Sequence, residues 1–402
     1  MKIYSNKNVL DAALDRVRYI FDEFENVVVG LSGGKDSTVT LNIALQVAEE
    51  KNRLPLTVIF VDQEAEWQGT IDYVEKVMTN PRIKPMWFQM PMVITNNASS
   101  YERYSKCWNP DQKDNWIHPQ KEMSIKENKY GTERFHDLFE KIFEVEFKDK
   151  KSCYLSGVRT EEAPKRFVAL THAITYKWIT WGKVLNKKLE HYTFYPLYDW
   201  SYTDIWKYIN ENKIEYNKVY DSMYQHGVKV QDMRISNLHH ETAIQVLLLV
   251  QEIEPSTWNR VANRIDGASS IKHIKKNSFT CPKELPYMFT DWEDYALHLA
   301  KNIIQEDSNR QMLIKKIESK KSIYNGINIR ESFWKVIINT ILSSDWDFTK
   351  IANFEMQPQN MNYRNFKKGK IDKAFLSHSK AYFKVFTSEE INEIKKIINE
   401  QD

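Results

Sequence analysis

Apolar residues in the N-terminal half of the chain recur with two periods in alternation, one helical and one strand-like. Leu10, Ala13, Leu14, Val17, Ile20, Phe21 and Phe24 share one face at helical spacing, which predicts an amphipathic helix over 7–24. Val27, Val28 and Val29 form a β-branched run of the kind buried in a parallel sheet, and Thr38 to Val47 returns to helical spacing. Leu54 to Asp62 predicts a second strand, Gly69 to Met78 a helix with Ile71, Val74 and Val77 inward, and Ile83 to Met92 a third strand. Phe135 to Phe147 reads as helix, while Ser152 to Gly157 and Tyr192 to Trp200 read as strands. Ser201 with Asp204 then caps another helix. Strands alternating with helices predict an α/β fold, a mostly parallel doubly wound sheet over residues 1–235.

Beyond Ser236 the strand signals fade. Leu247 to Ile253, Trp292 to Ile304 and Ile329 to Leu342 carry apolar residues at helical spacing, and Thr387-Ser-Glu-Glu390 has the form of a capping box. Residues 236–402 are therefore expected to form a helical C-terminal domain. Residues 94–134 break the alternation of the first domain with Asn96 to Ser100, Cys107, Trp108, Trp116, His118 and Pro119. So long a polar and aromatic insertion is of the kind that often serves as a binding lid, and the sequence leaves open whether it closes over the site. His118 and Cys107 are its candidate catalytic side chains, each weighed against a packing role.

The chain of 402 residues has a formal net charge of only +3, so the distribution of charge must decide whether nucleic acid is a partner. Arg364, Lys367, Lys368, Lys370, Lys373, Lys380 and Lys384 face Asp372 alone and are interleaved with Tyr363, Phe366, Phe375, Tyr382 and Phe383. Segment 363–384 suits DNA, through phosphate contacts and base stacking. It also suits a solvated face over an apolar underside, or a protein partner. There is no run of eighteen apolar residues and no N-terminal signal pattern, so a cytoplasmic protein with no membrane association is expected. Three scattered cysteines, Cys107, Cys153 and Cys281, argue against a disulfide scaffold, a cysteine-ligated zinc or an iron–sulfur cluster. His239-His240-Glu241 is a poor zinc candidate, because adjacent histidines do not share a helix face.

The chemistry centres on Val27-Val28-Val29-Gly30-Leu31-Ser32-Gly33-Gly34-Lys35-Asp36-Ser37, a strand, a glycine turn and a helix start. Glycines let successive backbone N–H groups crowd onto one anion, and the helix start adds its unpaired donors and dipole. Ser32 and Ser37 add hydroxyls, Lys35 a mobile charge, and Asp36 a cap or an indirect Mg²⁺ contact. The spacing is too short for a Walker A loop. Asp62, Glu64 and Glu66 follow the second strand, where ligands of open parallel sheets sit. Asp62 could orient a ribose, coordinate Mg²⁺ or cap the next helix.

Ser32-Gly-Gly-Lys-Asp-Ser37 resembles the PP-loop signature of the ATP pyrophosphatase, or adenine nucleotide α-hydrolase-like, superfamily. Ser156-Gly157-Val158-Arg159, with Glu161 and the basic pair Lys165 and Arg166, resembles the second motif of its phosphoadenosine phosphosulfate reductase branch. Pro196-Leu-x-x-Trp200 with Asp204-Ile-Trp206 resembles the same branch. The resemblance implies that Ser32, Gly33, Gly34, Lys35, Asp36 and Ser37 hold the pyrophosphate end of ATP, with Asp62, Gly157 and Arg159 completing the nucleotide site. It implies that Lys35, Arg159 and Arg166 neutralise charge during cleavage between the α and β phosphates.

The family's thiols are missing. Where its pattern has a cysteine near residue 230 this chain has none, though Arg234 remains placed to reach an anion, and Cys281 lacks the reductase setting. The expected function is Mg²⁺-dependent adenylyl transfer that uses ATP, without reductase chemistry. Two alternatives stand beside it, a nucleotide-sensing regulator and a subunit for DNA modification or defence. The C-terminal layout, with Asn325-Gly-Ile-Asn and Trp334, resembles the subgroup found in phages and mobile elements with ParB-like proteins, which implies such a partner.

Overall fold

A computed structural model describes residues 6–96, 104–148, 150–162, 166–168, 170, 175–235, 238, 244–269, 280–304, 306–370 and 384–399, without the side chains of 244–248, 398 and 399. The valine run forms β1 (Asn26–Gly30), which lies between β2 (Leu56–Val61) and β6 (Ser152–Leu155). Both neighbours are parallel to it, with Val28 opposite Thr57 and Val27 opposite Cys153. β3 (Ile83–Phe88) extends the parallel sheet beyond β2, and β9 (His191–Phe194) extends it beyond β6. β8 (Ile179–Asn186) and β7 (Thr175–Tyr176) finish that edge antiparallel, giving the order β3-β2-β1-β6-β9-β8-β7. The fold is a mostly parallel α/β sheet with flanking helices, as the alternation predicts.

Alternate residues of each strand face opposite layers. Val27, Val29, Val58, Phe60, Cys153 and Leu155 pack under α1 (Val9–Glu23), α2 (Lys35–Glu50), α3 (Gln68–Met78) and α5 (Tyr202–Glu211). Val28, Ile59, Met86 and Phe88 face the other layer, where α4 (Phe135–Glu146) contributes Leu138, Ile142 and Phe143. Ser201 and Asp204 close the expected capping box of α5.

Two expectations are corrected. The third strand ends at Phe88, and Met92–Thr95 is a separate strand β4 paired antiparallel with β5 (Tyr104–Cys107). The strand expected over 192–200 ends at Phe194, after which Tyr198 and Trp200 close turns by bonding back to Tyr195 and Leu197. Described residues of the 94–134 insertion pack into the core. Ile94, Cys107, Trp108 and Tyr130 are buried in the second layer's core, and none of the insertion's described residues lines the cleft described below.

Contacts divide the chain into a unit of Met1–Ala98 with Tyr104–Ile271 and a unit containing Lys272–Asp402. The first unit therefore runs past the boundary expected at residue 235. It takes in α6 (Val219–Gln225), α7 (Ile244–Ile253) and α8 (Pro255–Arg264), because Glu254 and Arg264 bond into the loop after β2. The second unit is helical: α9 (Trp292–Asn302), α10 (Asp307–Lys321), α11 (Ile327–Leu342), α12 (Thr349–Met356), α13 (Pro358–Lys367) and α14 (Ser388–Asn399). Its core holds Tyr324, Phe333, Trp334, Ile338 and Tyr363. Thr387 and Glu390 make the predicted reciprocal capping bonds at the start of α14. Among the described residues no helix is long and apolar enough to cross a membrane.

Candidate active site

β1, β2 and β6 all point their carboxyl ends into one cavity of about 930 Å³, the place where open parallel sheets bind ligands. The glycine turn leaves β1 at Gly30 and enters α2 at Lys35, with Gly34 as the N-cap. Gly33 has φ +72°, and a Cβ there would stand 2.6 Å from Thr70 Cγ2, so glycine is required on both counts. Ser37 Oγ donates to the Gly34 carbonyl at 2.8 Å and accepts from the Ser32 amide at 3.1 Å, which holds the turn closed. Ser32, Gly34, Lys35, Asp36 and Ser37 line the cavity.

Two residues from α6 and the segment before it brace this loop, and their role is not legible from local sequence. The buried Asn217 amide donates to the Gly33 carbonyl at 3.2 Å and to Thr70 Oγ1 at 2.9 Å. The Lys35 amide donates to Tyr220 Oη at 3.1 Å. Gly157 presses the second motif onto the first. A Cβ there would meet the Asp36 and Ser37 backbone at 2.7 to 2.9 Å.

The cations of the two motifs converge on one end of the cavity, each already engaged. The Lys35 ammonium lies 3.2 Å from Asp36 and 3.4 Å from the Met233 carbonyl. Burial lowers its pKa, with the Asp36 charge opposing and Arg159 and Arg234 adding to the fall. Arg159 is 3% exposed and bonds Asp36 through Nε, Glu161 at 3.1 Å and Glu162 at 3.6 Å. Arg166 pairs with Glu162, and burial followed by the nearby Arg234 lowers its pKa. Arg234 donates to the Glu162 carbonyl at 2.9 Å and lines the cavity as its sequence position implies. Ile59, Val61, Phe135, Phe139 and Tyr154 give the cavity an apolar and aromatic part.

Asp62 is corrected. It is fully buried outside the cavity lining, and its carboxylate accepts from Trp87 Nε1 at 3.0 Å and Gln89 Nε2 at 2.9 Å. His118 Nε2 lies 3.3 Å from the same carboxylate, so this histidine and Asp62 form a buried pair away from the cleft. Burial lowers the His118 pKa, but the Asp62 charge and hydrogen bonding outweigh it and leave the pKa raised. Of the two carboxylates expected at Mg²⁺, Asp62 lies outside the cavity lining, while Asp36 lines it and pairs with Arg159 and Lys35. Glu66 also lines the cavity, at 5% exposure. Burial, followed by the Asp62 charge, raises its pKa well above the usual carboxyl range.

Cys107 and Cys153 are buried, their pKa values raised by burial, and no cysteine lines the cavity among the described residues. Lys165, the His239-His240-Glu241 run and residues 371–383 of the basic segment lie outside the described residues. Of that segment's aromatics, Tyr363 is buried and Phe366 packs on Phe386, so these two belong to the core of the helical unit rather than to a stacking surface.

Residues 26–226 match the phosphoadenosine phosphosulfate reductase domain, and residues 227–375 match a domain of unknown function, DUF3440. Uncharacterized protein YbdN of Escherichia coli is 29% identical over 306 residues, 73% of this chain and 74% of that protein. Sulfate adenylyltransferase subunit 2 of Mycolicibacterium vanbaalenii is 25% identical over 239 residues, 56% of this chain and 67% of the relative. The crystal structure of phosphoadenylyl-sulfate reductase from Candida auris in a phosphate complex superposes with a TM-score of 0.33 at 16% identity. It covers 60% of this chain and 98% of that one.

Proposed function

The chain belongs to the phosphoadenosine phosphosulfate reductase domain family, and we propose that it is a PP-loop enzyme using ATP, cleaving between the α and β phosphates to place AMP on an acceptor. The observation that carries this reading is a single cavity in which the Ser32 to Ser37 turn and four cations lie together, with an aromatic part and, among the described residues, no thiol. Its volume, about 930 Å³, is in the range of small-molecule and cofactor sites. The naming of a relative as sulfate adenylyltransferase subunit 2 supports adenylyl transfer.

In this mechanism an acceptor oxygen attacks the α phosphorus. The bond to the bridging oxygen breaks, and its electron pair leaves with pyrophosphate. Amides of Gly33 and Gly34 and the Lys35 ammonium hold the departing phosphates, while Arg166 and Arg234 offset the charge that grows on them. Arg159 acts through Asp36, Glu161 and Glu162, which its guanidinium holds in place, rather than as a first contact to phosphate.

Incubation with ATP labelled at the α phosphate tests the reading. AMP and pyrophosphate, both lost in Lys35→Ala, are expected; ADP would refute it. ATP bound intact without turnover would favour the nucleotide-sensing regulator. A second reading, a subunit acting on DNA with a ParB-like protein, draws on the exposed Lys368 and Lys370. Salt-dependent DNA binding that survives their double replacement by Glu would count against it.

A further inference from the structure

Glu66 is a misfit in a cleft built for phosphates. Among the described residues its carboxyl has no hydrogen bond or ion pair, although it is 5% exposed and lines the same cavity as Lys35, Arg166 and Arg234. Those cations are engaged elsewhere, with Asp36, with Glu162 and with the Glu162 carbonyl. A buried carboxyl without a partner is costly to ionise, and a polyphosphate entering the cleft makes its ionisation costlier still. A hard divalent cation, taking oxygen ligands from carboxylate and phosphate together, removes both costs.

The loop that carries Glu66 is held rigidly from outside the cleft. Glu64 sits at φ +66°, a left-handed conformation rare for a side chain of this kind. Its buried carboxylate takes a two-pronged bond from Arg264, at 2.6 and 3.1 Å, and a 2.6 Å bond from the Trp108 amide. Glu254 accepts from the Gln68 and Gly69 amides at 2.8 and 2.9 Å, fixing the start of α3. The adjacent Thr70 packs on Gly33, so the loop and the phosphate turn are in register. Such outer bonds are what orient a ligating carboxylate.

We propose that Glu66 is the carboxylate that holds a divalent cation against the nucleotide phosphates in this cleft, in place of Asp36 or Asp62. The inference rests on the ATP reading above. Its test is an electron paramagnetic resonance titration of Mn²⁺ into the full chain with α,β-methylene-ATP, beside nucleotide affinity measured in EDTA. Glu66→Gln keeps the shape and removes the charge. It is expected to weaken Mn²⁺ at least tenfold in the ternary complex while leaving metal-free nucleotide affinity within twofold. Unchanged Mn²⁺ affinity in Glu66→Gln would overturn the assignment, as would loss of Mn²⁺ in Asp36→Asn but not in Glu66→Gln. Should the parent protein bind no nucleotide with or without metal, the ATP reading itself fails and takes this inference with it.

Discussion

Replacing Arg264 by methionine isolates the contribution of the segment that the expected domain boundary left out of the first unit. The Arg264 side chain is 6% exposed and that of Glu64 2%, so the pair is out of water. Arg264 also donates to the Lys106 carbonyl at 2.6 Å and to Gln112 at 3.0 Å, and these bonds are lost with it. Glu64 would keep the Trp108 amide as its one donor. Removing one partner of a buried ion pair costs ~3–5 kcal/mol, because the other charge stays buried. Each ~1.4 kcal/mol is about tenfold in an equilibrium. Hydrogen exchange of the Trp108, Gln68 and Gly69 amides should therefore quicken by roughly a hundredfold to a few thousandfold, followed by mass spectrometry of peptides covering 62–70 and 104–110. Adding Glu64→Gln removes the orphaned charge and should restore ~1–3 kcal/mol of the loss. Exchange in Arg264→Met within about threefold of the parent, or no recovery in the double variant, would refute the reasoning.

Further outcomes follow from the same contacts. Gly157→Ala places a methyl against backbone at 2.7 to 2.9 Å, which cannot rotate away. It should cost ~1–3 kcal/mol in chemical denaturation and weaken ATP binding in calorimetry more than a substitution outside the cleft does. Asn217→Ala frees the Gly33 carbonyl and leaves the Val219 amide without its 3.0 Å acceptor, so a loss of ~1–3 kcal/mol is expected in the same measurement. Arg234→Ala should weaken ATP with little change in melting temperature, whereas Arg159→Ala should lower the melting temperature, since three carboxylates lose their shared cation. Hydrogen bonds from Lys177 and Tyr176, against burial and with help from Lys151, lower the Glu23 carboxyl from 4.5 to about 2. A depressed carboxyl stabilises fully above its unfolded value and ceases to do so as pH falls through its folded one. The deficit of Glu23→Gln against the parent should thus be present above pH 4.5 and vanish near pH 2 in thermal melts.

The loop and the strands before it were legible because their signals are local. A valine run, a glycine turn and a helix start fix one another within a dozen residues, and the turn needs φ > 0 at Gly33 wherever it occurs. The β7–β8 hairpin was not legible. Its turn is Lys177-Trp178, both at positive φ, where Asn-Gly would have announced it. Asp62 stood at the right strand end for a ligand, yet Trp87, Gln89 and His118, which claim its carboxylate, come from later in the chain and no spacing reveals them. Tyr363 resembled a base-stacking residue beside lysines, but its ring packs on Phe386 and its hydroxyl meets Glu390 at 3.3 Å, partners supplied by the last helix and the segment before it.

What the motifs could not convey is how the cleft balances its own charge. Lys35, Arg159 and Arg166 would repel one another in a buried site, and Asp36, Glu161 and Glu162 are spaced among them to prevent it. Each acid follows a motif residue closely in sequence, so the two loops carry their counter-charges with them. An incoming polyphosphate therefore competes with carboxylates already in place, and cations differ in how readily they respond. Arg159, 3% exposed and meeting three acids, is the hardest to redirect; Arg234, bonded to a carbonyl, is the easiest. Positive charge at such a site does not measure its affinity for an anion, because only the charge not already compensated is available to bind one.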